Sequence, residues 1–264
     1  MAKDRAELPL ERYFSIIENI AISGSEMNTS AIAKICDYPV GTTHRLIQNL
    51  LETQLLEKSD SGGKNYQLGQ RLLRLLHAGS NSVKIAIAVQ PILDGLANEL
   101  NDTCYLARLV GHKVVSVAMA HPIDDVRGHI VPGRTLAPNV AASAKAILAF
   151  QSEEIVGKAL TGPLEKIASE TKTDREEIKR EYSIIRERKY ATCWNEMENG
   201  LGAVAVPIPL PIVGTIYSIG AAGFIDHLKK TSEIKIVEVL NSKVPQLAKA
   251  LTDIGVNNGS FNSF

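Results

Sequence analysis

The side chains best suited to chemistry in this chain form one short run, Gly41-Thr42-Thr43-His44-Arg45. It supplies a glycine for close approach, two hydroxyls, an imidazole and a guanidinium. These are the groups that read base edges in the DNA major groove when they occupy the first turns of a helix. Backbone N–H groups at such a helix start also favour a phosphate. Lys58 and Lys64 flank a turn from which they can reach the sugar–phosphate backbone or the minor groove. Thr29 and Ser30, at the head of the preceding helix, complete the candidate DNA-contacting set. A polar helix start can equally be no more than a cap, so the run gains meaning only from the elements around it.

Other constellations are poor. Ser61-Gly62-Gly63-Lys64 matches Ser-x-x-Lys, but it falls in a hairpin turn and is too short for a phosphate-binding Walker loop. There is no Gly-x-Ser-x-Gly elbow, and Asp124-Asp125 reads as a solvated turn pair. Six scattered histidines show no metal-ligand spacing. Cys36, Cys104 and Cys193 are odd in number and widely spaced, which argues against a disulfide framework or a structural zinc. No catalytic residue, metal or cofactor is assigned, and the chain is not expected to be an enzyme.

The surrounding elements give the polar run its context. Leu10, Tyr13, Ile16, Ile17 and Ile20 recur at helical spacing over residues 8–23, and Gly24 stops the helix. A short second helix carries Ile32, Ala33 and Ile35 to about Asp37. A turn through Tyr38-Pro39-Val40-Gly41-Thr42 leads to a third, with Leu46, Ile47, Leu50 and Leu51 inward and the polar run mostly outward. Strands at Leu55–Lys58 and Tyr66–Leu68 around the diglycine turn make a hairpin. Three helices and a hairpin are the layout of a winged helix-turn-helix. Helix resumes over Gln70–His77, breaks at residues 78–82, and continues over Val83–Leu100, with Pro91 marking a kink or an effective start.

Beyond residue 100 strands and helices alternate. Strands are predicted at Tyr105–Val110, Val114–Ala120, Tyr190–Trp194, Gly202–Ile208 and Thr215–Ala222. Helices are predicted at Ala141–Phe150, Asp174–Lys189 and Ser232–Ile254, with a turn-rich loop over His121–Gly133. This is an α+β unit with an antiparallel sheet. The domains are placed at residues 1–80 and 81–264, the second including the linker helix.

The 264 residues carry 29 Lys+Arg against 29 Asp+Glu, which removes the crude argument that a basic protein binds nucleic acid. Residues 1–80 hold nine of each sign, but 38–80 hold five positive and three negative charges. Such a small excess predicts weak binding by one domain, hence two copies on a pseudo-palindromic double-stranded site. A homodimer or dimer of dimers is expected, using the helices at 8–23 and 70–100. No apolar run is long enough to span a membrane, and the N-terminus has no apolar signal core. A cytoplasmic location without membrane association is expected.

Three stretches give the chain a family resemblance. The first is Gly41-Thr42-Thr43-His44-Arg45-Leu46-Ile47 with Leu55-Leu56-Glu57 and Tyr66-Gln67-Leu68-Gly69-Gln70-Arg71-Leu72-Leu73. The second is Gly133-Arg134-Thr135-Leu136-Ala137-Pro138-Asn139 through Ser143-Ala144-Lys145-Ala146-Ile147-Leu148-Ala149. The third is Asn195-Glu196-x-x-x-Gly200 followed by Ala203-Val204-Ala205-Val206-Pro207-Ile208. In order and spacing they resemble the IclR family of bacterial transcription factors.

The resemblance implies a winged helix, a linker helix and a GAF-like effector domain that controls a catabolic operon in response to a small organic or aromatic acid. It places the effector site at Asn139, Ala142, Ser143, Cys193, Ala203, Gly220 and Ala222. Asn139 stands where the family pattern has His. Cys193, Ala203, Gly220 and Ala222 stand where regulators of very small acids carry an acidic residue, a cysteine and two serines. Smaller, less polar groups predict a roomier and more apolar cavity that suits a larger ligand. The alternative is a sensor or enzyme domain whose winged helix serves protein contacts.

Overall fold

Pro9 takes the first helical position, where its missing N–H is no loss, and Gly24 closes the helix in the left-handed region at φ 59°. This helix is α1 (Pro9–Ser23), followed by the two-residue strand β1 (Met27–Asn28). The Asn28 side chain accepts from the Ala31 N–H at 2.9 Å and so starts α2 (Thr29–Cys36). Asp37 ends that helix at φ 54°, and Pro39 caps α3 (Val40–Glu52). The connection is therefore shorter than the expected turn, because Val40 and Gly41 already belong to α3.

The computed structural model describes residues 8–59, 64–72, 75, 82–122, 130–211 and 213–257. The tip of the diglycine turn, most of the helix expected over Gln70–His77, the break at 78–81 and the centre of the 121–133 loop lie outside these residues. The chain divides into two compact units, residues 1–77 and 78–264.

In the first unit β2 (Leu56–Lys58) and β3 (Asn65–Leu68) pair antiparallel, with Lys58 opposite Tyr66, and β1 adds to the other edge of β3. Ile16, Ile17, Ile20, Ile32, Leu46, Ile47, Leu50, Leu56 and Tyr66 form one core. Removing such side chains from water stabilises the unit by roughly 1.5–3 kcal/mol each. Gly69 brings the chain back past α3: a Cβ there would lie 2.2 Å from the Gln54 carbonyl oxygen, and its N–H donates to Leu55 O at 2.8 Å.

The second unit is an antiparallel sheet of order β6-β5-β4-β9-β8-β7. Its strands are β4 (Thr103–Val110), β5 (Lys113–Ala120), β6 (Thr135–Leu136), β7 (Ala191–Trp194), β8 (Leu201–Leu210) and β9 (Gly214–Phe224). The long helices α4 (Ser82–Leu100) and α9 (Glu233–Asn257) pack on each other and on one face. Helix α5 (Ala142–Leu148) lies on the opposite face, with α7 (Arg175–Arg188) packed against it. The two faces separate along β4: Tyr105 faces Ser143 of α5, whereas Arg108 donates to Ser82 Oγ of α4 at 3.3 Å. Pro91 removes one helical donor but does not interrupt α4. The short elements β1, β6, α6 (Glu153–Ala159) and α8 (Ile225–Thr231) have no counterpart in the sequence reading.

Candidate functional site

Helix α3 sorts the polar run by helical period. Gly41, His44 and Arg45 are exposed, Thr42 is half-buried, and the space around a Cβ at Gly41 is open. Thr43 is fully buried, and its hydroxyl donates to Pro39 O at 3.2 Å. This corrects the expectation that Thr43 faces DNA. It lies three and four residues before Leu46 and Ile47, and so shares their inward face. By the same period Gln48, half-buried and polar, sits on the Gly41–His44–Arg45 face, a candidate contact not assigned from sequence. Asn49 is tied elsewhere, donating to Tyr13 Oη at 2.7 Å. Ser30 is exposed and Thr29 half-buried at the head of α2, while Lys58 and Lys64 are exposed on β2 and just before β3.

In the second unit, register assembles Cys193, Ala203 and Ala222 of the expected effector residues, whereas Ser143 and Gly220 lie behind the Tyr105 ring and do not line the cavity. Cys193 lies opposite Ala203, and Ala203 opposite Ala222, so these small side chains form one cross-strand row. Ala142 of α5 covers it. Together with Leu136, Met197, Leu201 and Tyr105 they enclose an apolar cavity of about 60 Å³. Burial holds the Cys193 thiol protonated, its pKa pushed up to about 11, and pushes the Tyr105 phenol up to about 12. Both are therefore neutral groups at physiological pH.

Two expectations need correction. Asn139 does not line this cavity; it is buried and its amide donates to Lys172 O at 2.7 Å. Nor is the cavity roomy. Gly220 leaves space that the Tyr105 ring takes: a Cβ at Gly220 would stand 3.1 Å from that ring and 3.0 Å from Ser143 Oγ. Local motifs gave no sign of Tyr105, because only the pairing of β4 with β9, which sets Tyr105 opposite Gly220, brings it to the site.

Beside this hollow lies a buried charge cluster. Lys145, fully buried on α5, contacts Glu181 of α7 at 2.8 Å and Glu196 at 2.7 Å, and Lys172 reaches the other Glu181 oxygen at 3.0 Å. Burial alone would raise the Glu181 carboxyl, but the two lysines hold it below the usual carboxylate range. Glu196, similarly buried with one lysine, is shifted upward. Glu196 belongs to the Asn195-Glu196-x-x-x-Gly200 motif, and the structure supplies the reason for that motif. Asn195 at φ 55° accepts from the Gly200 N–H at 2.7 Å, closing a loop that carries Met197 to the cavity. A larger open cleft of about 930 Å³ runs along α7 and β7, lined by charges of both signs such as Lys172, Glu177, Arg180 and Glu181.

Among the described residues no cluster of His, Cys, Asp and Glu could hold a metal ion, and no helix is long and apolar enough to cross a membrane. A helix-turn-helix with an exposed polar helix face, joined in one chain to an α+β domain with an apolar hollow under a helix, defines the class as a two-domain helix-turn-helix DNA-binding protein.

The chain belongs to the IclR family. The model of the bacterial transcriptional regulator IclR C-terminal region matches residues 77–249, and that of the IclR helix-turn-helix domain matches residues 9–60. The probable transcriptional regulator SauR of Cupriavidus necator is 28% identical over 203 residues, covering 75% of this chain and 78% of that protein. The Pca regulon regulatory protein of Pseudomonas putida is 24% identical over 204 residues, covering 75% and 68%. Among solved structures, Thermotoga maritima IclR superposes with a TM-score of 0.59 at 22% identity, covering 92% of this chain and 98% of that one. An IclR homolog from Microbacterium hydrocarbonoxydans, solved with 4-hydroxybenzoate, gives 0.59 at 20%, covering 92% and 99%. The matched domains and curated relatives are transcriptional regulators rather than enzymes, and this chain is a transcriptional regulator of that family with a helix-turn-helix DNA-binding domain.

Proposed function

We propose that the chain controls a catabolic operon, binding a pseudo-palindromic operator as a homodimer or dimer of dimers, with affinity set by a small organic acid in the hollow beneath α5. The convergence of Ala142, Cys193, Ala203 and Ala222 on one apolar cavity carries the effector part of this reading. The exposed His44 and Arg45, with Lys58 and Lys64, support the operator part. The P. putida relative is named for its regulon, and the M. hydrocarbonoxydans neighbour holds a carboxylic acid, which supports an organic acid as the effector without fixing its size.

Exposed apolar side chains support self-association. Leu10, Phe14 and Ile22 of α1 are 65%, 49% and 83% exposed, and Val83 and Ile87, one turn apart on α4, are 61% and 70% exposed. Fluorescence anisotropy of a labelled duplex from the gene's upstream region tests the reading. Binding should change when a short organic acid is added, and Arg45→Ala should weaken specific binding by about 1–3 kcal/mol. An acid-insensitive complex, or full specificity in the variant, would count against it.

A further inference from the structure

The effector cavity is too small for most ligands, and one side chain makes it so. Its volume of about 60 Å³ is far below the ~300–1,000 Å³ of drug-sized sites, and below the ~150 Å³ of a cavity that takes benzene. The row Cys193–Ala203–Ala222 presents only small groups, and Gly220, on the same face, presents none. Tyr105, directly opposite Gly220 in the β4–β9 pairing, closes this face.

Tyr105 is 2% exposed, and its ring takes the space a Gly220 side chain would need: a Cβ there would stand 3.1 Å from the ring and 3.0 Å from Ser143 Oγ. Among the described residues no other cavity-lining side chain combines this bulk with this position: Ala141, Ala142, Ala203 and Ala222 present methyl groups, and Ile130, Leu136, Met197 and Leu201 line the cavity as flexible aliphatic chains. We propose that Tyr105 is the specificity-determining residue of this pocket, admitting compact aliphatic molecules of a few carbons and excluding aromatic rings. The exclusion is steric and needs no charge. It rests on the reading of this cavity as the effector site, and the experiment below separates the two.

Replacing Tyr105 with Ala removes a ring and leaves ring-sized space, whereas Phe keeps the ring. The test measures binding of benzoate and 4-hydroxybenzoate to the full chain by ligand-observed NMR and thermal shift. The wild type and Tyr105→Phe should bind both weakly or not at all, and Tyr105→Ala should gain at least tenfold for benzoate. Should Tyr105→Ala fail to fold, Tyr105→Leu takes its place with a smaller gain in the same direction. Adding Ala203→Phe to the trimmed variant should fill the new space and erase the gain.

A folded trimmed variant with no gain overturns the role of Tyr105 and leaves the effector site standing. Wild-type protein that binds benzoate as tightly as the trimmed variant also overturns it. A gain that survives Ala203→Phe places the ligand elsewhere and overturns the cavity reading with it.

Discussion

Burying the Lys145 ammonium costs desolvation free energy, and the structure offsets it with two carboxylates within 3 Å, Glu181 and Glu196. Removing only the cation should therefore be worse than losing a contact, because both acids stay behind. Lys145→Met is expected to destabilise the second unit by about 3–5 kcal/mol. The one tryptophan, Trp194, lies beside Glu196, so urea unfolding followed by its fluorescence reads this unit directly. Adding Glu196→Gln should recover part of the loss. A loss under about 1 kcal/mol would mean the cluster is not the buried ion network described.

A second buried acid gives a pH signature. Asp102, between α4 and β4, is 1% exposed and accepts from or pairs with His227 Nδ1 at 3.0 Å, and Gly223 must lack a side chain to let it in. Burial lifts its carboxyl from 3.8 to about 6 against the pull of His227. The folded state therefore favours the protonated form. This contribution to stability is fully present below pH 3.8 and is lost as pH rises through about 6. Asp102→Asn should be more stable relative to wild type at pH 7 than at pH 4, as read from urea midpoints across that range. A wild-type-minus-variant difference independent of pH would contradict this account.

At the scale of elements, the long periodic segments were legible and the short ones were not. α3 is readable from Leu46, Ile47 and Leu50, yet the chemical type of Thr43 suggests an outward side chain where the helical period puts it inward. Thr43→Val should leave specific DNA binding within about twofold, while Arg45→Ala should cost about 1–3 kcal/mol of specific affinity and Lys58→Ala should weaken all sequences alike. In anisotropy titrations, a specific defect in Thr43→Val would reverse this assignment.

The effector face was half legible. Cys193, Ala203 and Ala222 follow from the family resemblance, whereas Tyr105 depends on a pairing between strands more than a hundred residues apart, which local spacing does not encode. Two-residue β1 and β6 are too short to show a period at all. Gly69 packs the end of β3 against the Gln54–Leu55 backbone after α3, and Gly69→Ala would force its Cβ into the Gln54 carbonyl. It should abolish DNA binding and lower far-UV dichroism while leaving the Trp194 transition in place. Retained operator affinity would show that the hairpin tolerates the shift.

For the whole molecule, charge arrangement matters more than charge amount. A chain with 29 charges of each sign has no long-range pull on DNA, so binding rests on a few placed cations repeated in two copies. If Arg45, Lys58 and Lys64 act from each of two protomers, log K should fall against log salt with a slope of about −5. The measurement that most directly tests the central claim is this salt titration on a duplex from the gene's upstream region, run with and without a saturating short organic acid. The account predicts a steep, sequence-dependent slope and an affinity shifted by the acid. Salt-insensitive binding, or a titration that the acid leaves unmoved across the series, would contradict it.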